Sequence, residues 1–158
     1  MPGSYGDLSM KVMHGGVANS GYPTAIAVEA GTGDITGGLW DVHTPMVIRR
    51  LGILVTVAFA YDTQVAEGVV TFFRRITYGS NTGRVTLGTV RLIDTTAAGR
   101  ILYRDVNDLF ANVGDQIVAA ITTAATGGAA IAGDFLPEFY YDEVPEALGN
   151  QTRWVVGT

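Results

Sequence analysis

The chain has 158 residues, a formal net charge of −5 and no cysteine, so disulfides, thiolate metal sites and cysteine nucleophiles are excluded together. Its cationic side chains are nine Arg and a single Lys against 15 acidic residues, which leaves no broad basic field to hold nucleic acid. A chain of this length suits one domain, or one domain with an arm, and buries roughly 70% of the surface that its unfolded form exposes.

Residues 1–22, "MPGSYGDLSMKVMHGGVANSGY", are rich in glycine and follow no clean period. They read as an extended N-terminal arm. Its scattered anchors, Tyr5, Leu8, Met10, Met13 and Tyr22, are too sparse for a core of their own and suit a segment that orders on a partner. No basic run followed by an apolar run opens the sequence, which argues against Sec-type export. Residues 23–158 read as one domain. Candidate strands lie at 24–29, 47–60, 68–77, 84–93, 100–106, 116–124, 135–141 and 153–156, separated by "GTGDITGG", "YDTQVAEG", "YGSNTG", "DTTAAG" and "DLFANVGD". These connections are rich in turn formers. β-branched strands at regular spacing predict an all-β fold: an antiparallel sandwich of the jelly-roll kind with about eight strands. A brief helical turn is expected near 106–110, where "VNDLF" can wind.

Parity along two strands is unusual. In "LGILVTVAFAY", Leu51, Ile53, Val55, Val57, Phe59 and Tyr61 line one face as a wall of the core, while Gly52, Leu54, Thr56, Ala58 and Ala60 line the other. The run from Asp115 to Asp134 carries no charge between those two residues. It is no membrane span, because three Thr and a Gly-Gly pair interrupt it, and Ile117, Val118 and Ile121 are too apolar for a linker. It reads as strand, turn, strand. Its first strand sets Val118, Ala120, Thr122 and Ala124 opposite Ile117, Ala119, Ile121 and Thr123. A sheet face in water normally alternates to charged or long polar groups. Something therefore covers these small faces: the arm, another sheet, a second subunit, or equally the domain's own loops lying over a central strand.

The chemical motifs are incomplete. Gly31 and Gly33 follow a strand, but the third glycine of a dinucleotide loop would fall at Thr36. None of the four serines sits in a nucleophile elbow, and His14 and His43 are the only imidazoles. "WDVHTP" has Pro45 where a cupin metal motif needs its second His, so His43 reads as structural. "RDVND" lacks the glycine and terminal Glu of a calcium loop. "NQT" at Asn150 matches a glycosylation sequon by chance. No catalytic residue, metal, cofactor, small-molecule substrate or membrane is expected. The Arg pairs of "IRRLG" and "FFRRIT" suit either solvated edges or interface ion pairs. "FLPEFYYDEVPEALGNQTRW" mixes aromatic residues with carboxylates and is the most partner-like segment.

"WDVHTPMVIRRLGILVTVAF", "GVVTFFRRITYG" and "VGDQIVAAITTAATGGAAIAGDFLPEFYYDE" together resemble the head decoration (cement) proteins of tailed bacteriophages, across roughly residues 38–145. The resemblance implies a structural virion protein on the outer surface of the capsid, bound to the major capsid protein, often as a homotrimer, and without enzymatic activity. The subunit interface is then expected at Leu54, Thr56, Ala58, Val118, Ala120, Tyr140 and Tyr141, and the capsid contact in the arm. A carbohydrate- or receptor-binding sandwich on a virion or cell surface is the alternative, with a shallow groove lined by Tyr61, Tyr78 or Tyr103.

Overall fold

A computed structural model describes residues 11–14, 25–28, 30–60, 67–125 and 132–144. Those residues form nine strands and no helix. They are β1 (Lys11–His14), β2 (Ile26–Ala27), β3 (Gly33–Asp41), β4 (Met46–Ala60), β5 (Gly68–Tyr78), β6 (Asn81–Leu92), β7 (Ile101–Ala111), β8 (Gln116–Thr123) and β9 (Ala132–Glu143). The first sheet runs β1-β9-β4-β7, with β2 also on β9, and the second runs β3-β8-β5-β6. Every pairing is antiparallel.

The pairs nest. β5 with β6 is the innermost hairpin, and β4 with β7, β3 with β8, then β1 and β2 with β9 enclose it in turn. One long hairpin is thus wound over itself into two packed sheets. The fold is a jelly roll.

Alternation puts one side of each strand between the sheets. Ile48, Leu51, Ile53, Val55 and Phe59 of β4 and Phe135 and Phe139 of β9 meet Val70 and Phe72 of β5, Val90 and Leu92 of β6, and Ile117, Ala119 and Ile121 of β8. Trp40 stands edge-on to Phe139 with ring centroids 5.1 Å apart. Phe59 meets Phe135 at 6.3 Å and 90°. Both geometries align the positive edge of one ring with the negative face of the other.

Bulges reset the parity of β4. Its register slips between Ile48 and Arg50, which lets Ile48 and Leu51 both face the core although they are three apart. It slips again between Val55 and Val57. Val57, expected on the core wall, is 49% exposed as a result. Local readings fail elsewhere for related reasons. "GTGDITGG" reads as a loop, yet Gly33–Asp41 is a strand: Ile35–Gly38 bulge out between Asp34 and Leu39, opposite the single residue Ala119. Gly38 suits the close packing there, because a Cβ would lie 3.0 Å from that of Ile35 and the neighbour would have to give. The turn expected at 106–110 is extended, since Leu109, Phe110 and Ala111 pair with Ile48, Val47 and Met46. A ladder partner outweighs local propensity.

The arm's Lys11–His14 joins the body as β1, pairing Lys11 with Tyr141 and His14 with Glu138. β2 follows along the same edge of β9, pairing Ile26 with Phe135. Pro137 falls in the gap between these two segments, so a strand with neighbours on both sides tolerates a residue that lacks an amide donor. The rest of residues 1–22 and the strand expected at 153–156 lie outside the described residues.

Candidate functional site

The outer face of the first sheet holds a polar and aromatic cluster ringed by apolar side chains. Three cross-strand rows build it: Tyr140–Arg50–Asp105, Glu138–Gly52–Tyr103 and Leu136–Leu54–Ile101, each read from β9 through β4 to β7. Glu138 is 1% exposed although it faces away from the core. Gly52 makes room for it: a Cβ there would lie 3.1 Å from Glu138 Cγ and 3.3 Å from Tyr140 Cε2. The Tyr140 hydroxyl donates to Glu138 Oε1 at 2.5 Å. Burial, reinforced by that bond, pushes the Tyr140 phenol up to about 12. The phenol is therefore held as a protonated donor. Arg50 donates to Asp105 at 2.6 Å, and its Cζ lies 4.0 Å above the Tyr103 ring and 5.8 Å from that of Tyr140. Arg49 closes on Asp142 at 2.5 Å. Charges on this face are thus neutralised within the chain, while Val57, Ile101 and Tyr103 remain 49%, 42% and 55% exposed.

The second sheet covers its own outer face. Val118 lies between Leu39 and Phe73, and Ala120 between Asp34 and Thr71. Thr71 and Thr122 share a hydroxyl hydrogen bond of 2.7 Å. Arg84 on β6 reaches Asp34 on β3 through two bonds, and its Cζ lies 5.5 Å from the Phe73 ring centroid.

A cleft of about 470 Å³ opens along the side where β6 and β7 face each other, lined by Thr89, Arg91, Ile93, Ile101, Tyr103 and Arg104 among others. Arg91 pairs with Glu67. Arg104 reaches Thr89 Oγ1 at 3.4 Å, a long bond.

These positions redistribute the residues expected at a subunit interface. Leu54 and Tyr140 share the outer face of the first sheet, with Thr56 and Ala58 exposed farther along β4. Val118 and Ala120 lie on the opposite side of the sandwich and are already buried. One flat contact cannot take both groups. Tyr141 belongs to the core, tilted on Phe139 with centroids 5.5 Å apart. Met13 sits in β1 opposite Phe139, and Tyr5, Leu8, Met10 and Tyr22 lie outside the described residues. Of the groove tyrosines, Tyr103 lines the cleft, Tyr61 lies outside the described residues, and Tyr78 ends β5. Sequence reasoning placed Gly52 on an outward face and Glu138 in the partner-like segment, but not the pairing that brings them together. Their only signal is a carboxylate and a glycine at outward parity in otherwise apolar strands. Among the described residues, no group of three or more His, Asp or Glu gathers to hold a metal ion. No helix among them is long and apolar enough to cross a membrane.

No protein-family model matches the chain, and no curated protein matches it. Among solved structures, the Eiger TNF of S. frugiperda is similar at 13% identity and a TM-score of 0.40, over 86% of this chain and 95% of that one. A likeness of that extent carries no functional argument.

Proposed function

We propose that this jelly roll is a structural assembly protein: a decoration protein that lies on the outer surface of a phage head and bridges neighbouring copies of the major capsid protein. The observation that carries the reading is the outer face of the first sheet. Its carboxylates and guanidinia pair with one another or are covered, whereas Val57, Ile101 and Tyr103 stay in water. Aromatic and Arg side chains with few unpaired charges are the composition of an interface centre. The resemblance of residues 38–145 to head decoration proteins supplies the partner. Trimers on three-fold positions would present three such faces at once, raising avidity by roughly 10²–10⁴ over one contact. The protein then acts by position alone, with no reaction to catalyse.

The test is to mix the protein with undecorated heads and image them by electron microscopy. Ordered extra density is expected for the native chain, and Ile101→Glu should abolish it while leaving the circular-dichroism spectrum unchanged. Heads that stay bare at saturating native protein would overturn the reading.

A further inference from the structure

We infer that the cleft between β6 and β7 binds a carboxylate-bearing sugar, such as a uronic or sialic acid at the exposed end of a glycan. The inference is independent of lattice docking, although Ile101 and Tyr103 belong to both surfaces.

Arg104 carries it. Its cross-strand partner is Leu51, a fully buried residue, so Arg104 occupies the inward register of β7, where a core side chain belongs. Gly88 on β6 lies against its stem: a Cβ there would crowd Leu51 Cδ1 at 2.9 Å and touch Arg104 Cδ at an ordinary 3.7 Å. The guanidinium emerges into the cleft beside Thr89 and, among the described residues, meets no carboxylate; it makes a 3.4 Å bond to Thr89 Oγ1. Arg91 brings a second guanidinium to the same wall. Arg91 is already paired with Glu67, so Arg104 is the guanidinium that a ligand's carboxylate would meet.

The remaining lining selects among anions. A guanidinium offers a planar fork that matches a carboxylate. The Thr89 hydroxyl both donates and accepts, as a sugar hydroxyl requires. Ile93, Ile101 and Tyr103 provide an apolar wall for the C–H face of a pyranose, with the Tyr103 ring fixed from behind by Arg50 at 4.0 Å. About 470 Å³ lies within the usual range for small ligands. The cleft lies open at the sandwich edge, which suits the end of a glycan.

The experiment is an amide NMR titration of the intact chain with glucuronic acid and with N-acetylneuraminic acid. Glucose and inorganic phosphate are the controls. Saturable shifts confined to residues 89–93 and 101–104 are expected for the acid sugars, with a Kd on the order of 1 mM, and none for glucose. Arg104→Gln should weaken binding about tenfold or more, and Thr89→Val should weaken it with the fold unchanged, which keeps the test valid if the Arg104 variant unfolds. No saturable shift with either acid sugar overturns the inference. So does phosphate binding as tightly as the acid sugars, because the cleft is then a bare anion patch.

Discussion

Arg84 and Asp34 stand on the two outermost strands of the second sheet, yet their side chains meet over it, Nη1 to Oδ1 at 2.8 Å and Nη2 to Oδ2 at 2.5 Å. Strands β8 and β5 lie between them. The bridge runs past Phe73 and helps to close a face whose middle strand offers only Val118 and Ala120. The hydrogen bond from Arg84 holds the Asp34 carboxyl below its ordinary 3.8. A carboxylate with a lowered folded pKa adds stability above its unfolded value and loses it as pH falls through the folded one. Asp34→Asn should therefore cost about 0.2–1 kcal/mol at pH 7, the range for an exposed pair. Urea titrations should show that difference shrinking below pH 4, the region set by the ordinary value of 3.8. A difference that grows with acid would contradict the bridge.

The two small faces separate under the same substitution. Ala58 is exposed and Ala120 is 4% exposed beneath its neighbours. Ala58→Arg should keep the native melting temperature. Ala120→Arg forces a long cation against Thr71 and Val118 and should cost several kcal/mol or prevent folding. Thermal melts followed by circular dichroism decide, and light scattering on the Ala58 variant then reports whether that face joins subunits.

Tyr140 has a measurable signature. Burial and the bond to Glu138 push its phenol up to about 12. A raised folded pKa contributes stability that is fully present below the unfolded value, near 10, and is lost as pH rises from there through about 12. Absorbance at the tyrosinate band should lose a component near pH 12 in Tyr140→Phe. At neutral pH the same variant should be less stable by about 1–3 kcal/mol, because the buried Glu138 carboxylate loses a donor.

Two glycines should resist alanine for different reasons. Gly133 has φ +133°, and a Cβ there would lie 2.5 Å from Phe59 Cδ1 and 3.0 Å from its Cα. Backbone strain and overpacking add, so Gly133→Ala should cost on the order of 3 kcal/mol or more. Gly52→Ala meets only crowding, against a Glu138 side chain too buried to swing away, and should cost about 1–3 kcal/mol. Denaturant midpoints rank the two, and a Gly52 variant as stable as the native chain would show that Glu138 can move.

The sequence by itself determined the class of fold and most of its strands, because alternation is a local property. Leu51, Ile53 and Val55 announce an inward face, and "YGSNTG" announces the β5–β6 hairpin, with no knowledge of neighbours. Tertiary structure alone decided what depends on partners distant in the chain. Pairing with β8 turned "GDITGG" from loop into bulged strand, and pairing with β9 drew Lys11–His14 out of the arm into the first sheet. Register slips put Val57 in water and Ile48 in the core, since one extra residue reverses every side chain beyond it. The placement of the small faces was settled the same way. Leu54 and Ala120 look alike along the chain, but winding the long hairpin sent their strands to opposite sheets, and only one of those sheets covers its own outer side.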